Sequence, residues 1–386
     1  MPPIDSYDCY SLQCIKDNTS LLTKDALDKI NTLIVQEGHQ LLDARLTKQL
    51  NIKTDSFVVK SNVDYPTDSS LLFDAMKYLI NLVGTLANKH GISGWREDKY
   101  YIRKIRTLKR KATSIKHSTS KTEGVIQKRE LMITEAYKEL INLCQLMLTK
   151  LKSTFELLKQ SNYIKEGQVE LFKEFVGRAH RQIDQINRRV ILKQVIPHSE
   201  KVFSLFNTFT EWISKGKAGV PVELGLRVAI STDQHGFILI HKTMEREQDV
   251  DVAISIITKV KEHFDNVYSA SFDRGYYSPS NQEELSKLVQ KVILPKKGKI
   301  SKNEQDKIRA DKEYMILRRK HSAVESNINA LENHALEACP DRGIDNFRKY
   351  VSMSVVAHNM HLIGALVQQK LQKQLRYKEA NIRLAA

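Results

Sequence analysis

Asp55-Ser56-Phe57-Val58-Val59 is a short, apolar, β-branched run, and it stands alone. Five such residues are too few for a helix and suit a buried strand. A single strand has no stability of its own, so it must pair with segments far away in the chain. The nearest strand-like runs are Leu224 to Ser231 and Gly236 to Lys242. Between them, residues 63–215 carry helical periodicity, with Leu, Ile and Met at i, i+3 and i+4 over 129–160. The texture changes where Gly216, Gly219, Pro221 and Gly225 cluster in a chain with only 15 glycines and 8 prolines. That scarcity favours long helices over a turn-rich all-β fold.

From 216 onward the order reads strand, strand, helix (248–264), strand (Asn266 to Phe272), helix (279–291), strand (Val292 to Leu294), then three more helices. Asp233-Gln234-His235-Gly236 supplies a hairpin turn between the first two strands. With the strand at 55–60 set in front, the pattern predicts an α/β fold of RNase H-like type, a mixed sheet flanked by helices. A large all-helical insertion and helical termini complete it. The corresponding divisions are an N-terminal helical segment, 1–50, read as a possibly shortened DNA-binding region, with an amphipathic helix over 24–47. A core from 51–62 plus 216–345 follows, then an insertion at 63–215 and a C-terminal helix and tail at 346–386. Asn51 to Thr54 break the apolar pattern, so Asp55 is expected to open the first strand.

The net charge of +16 argues for a polyanionic partner, nucleic acid first. Basic residues gather in Arg103 to Lys116, Lys121 to Lys128 and Arg178 to Lys193. The first stretch, with Arg103, Lys104, Arg106, Lys109, Arg110 and Lys111, suits a DNA backbone, or else a solvated helix face. Arg318, Arg319 and Lys320 suit phosphates near a catalytic site, against the same alternative. No apolar run long enough to cross a membrane is seen, and no leader segment. Cys9, Cys14, Cys144 and Cys339 form no C-x-x-C pair, and His358 and His361 lack a third ligand, so zinc is not expected. No G-x-x-x-x-G-K-[ST] occurs, so ATP-driven chemistry is not indicated.

Phosphodiester chemistry asks a protein chiefly to converge carboxylates on divalent cations. Acids at strand ends are therefore the candidates. Asp55 lies on the first strand, and Asp273 ends the strand NVYSASF. Glu325 stands beside the inward face formed by Val324, Ile328 and Leu331. Asp64 is the rival at the first position, and Asp68 and Asp74 read as a cap and a solvated face. Glu332 and Glu337 compete with Glu325, while Glu223 and Asp233 read as structural or turn acids.

Four stretches in order resemble the catalytic blocks of ISNCY-type insertion-sequence transposases. TDSFVVKSNVDYPTDSSLLFDAM is similar to the first block and EKVFSLFNTFTEWISKGKAGVPVELGLRVAIS to the second. NVYSASFDRGYYS resembles the block with the second aspartate, and RRKHSAVESNINALENHALEACPDRG the block with the glutamate. The tail KYVSMSVVAHNMHLIGALV is similar to the closing helix of such enzymes. The resemblance spans about residues 20 to 370 and implies a DDE triad of Asp55, Asp273 and Glu325. It also implies Mg²⁺, with Mn²⁺ able to substitute, and strand cleavage and transfer at terminal inverted repeats. The expected partners are double-stranded DNA at element ends and target, and a second copy of the chain, at least a homodimer. A bacterial, cytoplasmic, nucleoid-associated protein without a membrane partner follows. The rival readings are a truncated, catalytically inactive transposase-derived DNA binder, another RNase H-like nuclease such as a resolvase, and, distantly, a membrane-surface protein.

Overall fold

The computed structural model describes residues 10–42, 47–116, 122–197, 200–214, 222–299 and 301–385. Gly216, Gly219, Pro221 and Lys121 lie outside the described residues. The chain forms two compact units, one of residues 1–62 with 209–386 and one of residues 63–208.

In chain order the first unit begins with α1 (Leu12–Leu21), α2 (Lys24–Leu41) and β1 (Leu50–Ser61). The second unit holds α3 (Asp68–Lys89), α4 (Asp98–Lys116), α5 (Glu123–Gln160) and α6 (Glu166–Ile186), which runs into a π-helical turn at Asn187–Ile191. The first unit resumes with β2 (Glu211–Ser214), β3 (Val222–Thr232), β4 (Ile238–Met244), α7 (Asp249–His263) and β5 (Val267–Phe272). It ends with α8 (Pro279–Leu288), β6 (Lys291–Ile293), α9 (Lys302–Ala310), α10 (Lys312–Lys320), α11 (Ala323–Leu331), β7 (Ala338–Cys339) and α12 (Ile344–Ala385).

The result is a mixed α/β protein, mostly helical, with one seven-stranded, open, mixed sheet in the order β2-β3-β1-β5-β6. β4 adds to β3 and β7 to β1. β1 pairs antiparallel with β3, and parallel with β5 along its first half and with β7 at its end. Pairing of β1 with β3 needs Gly225, because a Cβ there would sit 2.0 Å from the Val59 carbonyl oxygen. Alternation along β1 sends Leu50 and Ile52 into one core with Val252, Ile256, Val260 and Phe272. Phe57 and Val59 enter another core with Leu226, Val324, Ile328, Phe347 and Val351. Helix α7 thus packs one face of the sheet, and α11 and α12 the other.

The structure differs from the sequence expectations at four points. β1 begins at Leu50, so Asp55 lies in mid-strand rather than opening it. The polar residues that broke the apolar pattern are satisfied by tertiary partners. Ser269 Oγ donates to Asn51 Oδ1 at 2.7 Å, and Lys53 Nζ donates to the Asp233 carbonyl at 2.6 Å. Burial therefore costs these groups little. Second, β2 and β7 were not expected. Third, four α-helices rather than three follow β6 among the described residues. Fourth, Asp68–Lys89 and Ile344–Arg376 are long and apolar enough to cross a membrane by length and composition. The first buries Leu72, Met76, Leu79, Ile80 and Val83 in the core of the helical unit. The second buries Phe347, Val351 and Val355 on the sheet.

The amphipathic helix expected near the N-terminus is α2. Its Asn31 side chain donates to the Ile238 carbonyl at 3.0 Å, and Asn359 of α12 donates to Asn31 Oδ1 at 2.7 Å. These buried amides tie α2, β4 and α12 together with their hydrogen-bonding capacity used.

In the helical unit, α5 buries Leu140, Cys144, Met147, Leu151 and Phe155 on one stripe. Phe155 stacks on Phe172 of α6 with ring centroids 3.7 Å apart, and the fully buried Trp95 donates its indole N–H to Thr154 at 3.0 Å.

Candidate active site

The register of two parallel strands sets the site. Lys53 pairs with Ser271 and Thr54 with Phe272, the last residue of β5. Asp55 and Asp273 are therefore the next residues in line. The chain leaves β5 at Asp273 and makes a tight 3₁₀ turn, Arg274–Tyr276, closed by the Tyr276 N–H on the Asp273 carbonyl at 3.2 Å. Glu325 lies in the first turn of α11, where a carboxylate suits the positive end of the helix. Val324, Ile328 and Leu331 of that helix are buried against the sheet. Glu325 itself is exposed, as is Asp273, while Asp55 is half-buried.

Asp273 and Glu325 both act electrostatically on Asp55. The carboxyl of Asp55 is pushed up to about 6, first by burial, then by the negative charges of Asp273, Asp249 and Glu325. A hydrogen bond from the Ser56 N–H to Asp55 Oδ1 at 2.7 Å works the other way.

Asp249 is a fourth acid that the sequence reading missed. It opens α7, and its Oδ1 accepts the Ser56 hydroxyl at 2.6 Å. Gly275 makes room for it, since a Cβ there would stand 2.8 Å from Asp249 Oδ2. Beneath lies Tyr276, fully buried, whose phenol is held well above its ordinary value by burial and then by Asp249 and Asp55. In the sequence Asp249 looks like any acid at a helix start, and nothing local marks it.

Basic groups line the same face of the sheet as Asp55. Lys53 is buried, and burial lowers its pKa, against the opposing pull of Asp233. His321 Nδ1 lies 3.0 Å from Ser271 Oγ, and Ser271 also donates to the Ile52 carbonyl at 3.1 Å. Burial lowers the His321 pKa, while Asp273 and Glu325 raise it. Beside them is a cavity of about 440 Å³, lined by Lys53, Ser269, Ser271, Lys320, Ser322 and Ser326 among others. Arg318, Arg319 and Lys320 occupy the exposed last turn of α10.

The rival acids stand in other surroundings. Asp68 pairs with Arg189 at 2.8 Å, and Glu337 with Lys60 at 2.6 Å. Thr67, not Asp68, caps α3. Asp74 is half-buried rather than on a solvated face, and its carboxyl is raised by burial. Asp233 is fully buried and structural. Its Oδ1 accepts the N–H groups of His235 and Phe237 at 2.8 and 3.0 Å, and Oδ2 lies 2.7 Å from His39 Nε2. Asp64 and Glu223 are not among the acids that raise Asp55, and neither is Glu332. His358 sits 3.3 Å from the Gly236 carbonyl and His361 makes an edge contact with His334.

In the helical unit, α4 buries Ile102, Ile105 and Ala112 and exposes Arg103, Lys104, Arg106, Arg110 and Lys111. Arg106 and Lys109 lie over the Phe73 ring, and Lys111 pairs with Glu139 at 2.9 Å. The later basic stretch is largely neutralised internally: Arg188 pairs with Glu200 and Asp184, Arg189 with Asp68 and Arg178 with Glu174.

In donor type, the carboxylate group fits a hard divalent cation, because clustered acids of like charge raise one another until a cation joins them. In spacing, no three His, Cys, Asp or Glu side chains among the described residues stand close enough to form a ready-made metal shell. Compared with family models, with curated proteins and with solved structures, the chain matches none.

Proposed function

We propose that this chain cuts and joins DNA as a DDE transposase of the insertion-sequence type, with an RNase H-like catalytic core. One observation carries the reading. Asp55, Asp273 and Glu325 come from a mid-sheet strand, the end of its parallel neighbour and a helix start, yet all three share one electrostatic field. Asp55, Asp273 and Glu325 would hold Mg²⁺ or Mn²⁺, with Asp249 beside them. When bound, such a cation activates the attacking oxygen and stabilises the leaving one.

The protein's own residues do the rest. Burial of Asp55 excludes water from one side of the site. Arg318, Arg319 and Lys320 hold phosphates next to it, and α4 supplies a second basic face. The proposed partners are double-stranded DNA and a second copy of the chain, in a bacterial cytoplasm. The direct test is strand transfer. A pre-cut element end with a free 3′ hydroxyl should join a supercoiled plasmid in Mg²⁺, and not with Glu325→Gln. Joining that persists in that variant would contradict the reading.

A second reading is a DNA binder without catalysis. The lack, among the described residues, of three ligands at metal-binding spacing favours it. A titration with Mn²⁺ separates the two, because a pure binder shows no saturable site that depends on Asp273.

A further inference from the structure

A cavity of about 280 Å³ opens immediately beyond Asp273, lined by Arg274 and Tyr277 from the turn after β5 and by Tyr314 and Arg318 of α10. Leu294 and Ile308 contribute apolar wall. Its chemistry is unusual for a surface hollow. Neither tyrosine ring lies against another aromatic ring among the described residues, and neither Arg274 nor Arg318 pairs there with a carboxylate. The acids at the start of α10 are committed elsewhere. Asp311 and Glu313 face Lys291 at 2.6 and 3.7 Å, and Glu313 also accepts the Tyr268 hydroxyl at 2.6 Å. The hollow is therefore lined by two half-buried tyrosines without an aromatic partner and two arginines without a carboxylate partner among the described residues, around an apolar wall.

Flat rings and guanidinium planes recognise other flat rings, and guanidinium groups recognise phosphate. The volume falls just under the ~300–1,000 Å³ typical of small-molecule sites, which limits the occupant to about one planar group. A base inside a duplex cannot enter such a hollow, whereas an unstacked one can. We infer that this pocket holds one unstacked nucleotide of the DNA strand, its base against Tyr314 or Tyr277 and its phosphate on Arg274 or Arg318. The inference rests on DNA being the substrate, and it assigns the nucleotide to the position next to the bond cut at Asp273. Tyr277 and Tyr314 would then select for a strand that is distorted or frayed at the cut.

The test uses the full chain and a short fluorescent oligodeoxythymidine, compared with the same strand carrying abasic sugars. Stacking predicts that the native chain binds the base-bearing strand about tenfold more tightly than the abasic one. Tyr314→Leu keeps apolar bulk but removes the flat ring, and it should erase that difference while leaving abasic binding unchanged. Tyr314→Phe should retain it. Equal binding of the two strands by the native chain overturns the inference, as does a base preference that survives both Tyr314→Leu and Tyr277→Leu. Metal-dependent cutting of duplex DNA is scored in the same preparations. A chain that cuts but shows no base preference loses the pocket and keeps the enzyme. A chain that prefers bases but never cuts keeps the pocket and loses the enzyme.

Discussion

Asp55 and Asp273 each directly follow the last pair that joins β1 to β5, Thr54 with Phe272. Burial at that place, and then the negative charges of Asp273, Asp249 and Glu325, work against ionisation of Asp55. In the fold the Asp55 carboxyl titrates at about 6, against an ordinary 3.8. Because the folded value is the higher one, the unfolded chain loses this proton first as pH rises. Below the ordinary value the group costs nothing, and above about 6 the penalty is complete. The expected penalty at neutral pH is about 3 kcal/mol. We predict that the metal-free chain loses stability between about pH 4 and 6 and that Asp55→Asn is the more stable protein at pH 7. Thermal melts of both across this range provide the check. Equal melting of the two at neutral pH would count against that penalty.

Asp249 stands within the same field and accepts the Ser56 hydroxyl. As a partner that positions the acids, its replacement by Asn should weaken the apparent Mg²⁺ affinity by about tenfold, with DNA binding unchanged. Gly275→Ala should act in the same direction by crowding Asp249 Oδ2. The readout is the Mg²⁺ concentration giving half-maximal cutting. An unchanged midpoint in both variants would place Asp249 outside the site.

The exposed cations of α4 give a prediction about salt. Replacing Arg103, Lys104 and Arg110 together by Ala should reduce the slope of log affinity against log salt by about 2–3. Binding measured at several salt concentrations tests this. Lys111 makes a poorer target because it is already paired with Glu139. An unaltered slope would make this face merely solvated.

Gly225 and Asp233 hold the sheet rather than the chemistry. Gly225→Ala puts a methyl group against the Val59 carbonyl and should force β1 and β3 apart. Asp233→Ala strands two buried N–H groups and removes the partner of His39. Each should cost roughly 3 kcal/mol or more, visible in denaturant melts. A loss below about 1 kcal/mol in both would show that the sheet relaxes freely at both ends of β3.

Much of this fold was legible because periodicity is a local property. The apolar run at 55–59, the hairpin around Asp233 and the helix–strand order that follows all appear where the residue pattern puts them. The failures share a cause. Asn51 and Lys53 look like breakers, yet they lie in β1 because Ser269 and the Asp233 carbonyl satisfy their side chains from far away in the chain. β2 and β7 span four and two residues, too short for any alternation to register. Acids at the end of β5 and the start of α11 could be picked out by position. Asp249 could not, because its place in the site depends on Ser56 and Gly275, far away in the chain.

The central claim is that Asp55, Asp273 and Glu325 work together on DNA through a divalent cation. Its most direct test is cleavage of a labelled DNA end in Mg²⁺, in Mn²⁺ and in EDTA, by the native chain and by Asp273→Asn. Cutting that requires the metal and disappears in the variant, with DNA still bound, is the expected result. Cutting that survives in Asp273→Asn would contradict the claim, and so would binding without cutting under either metal.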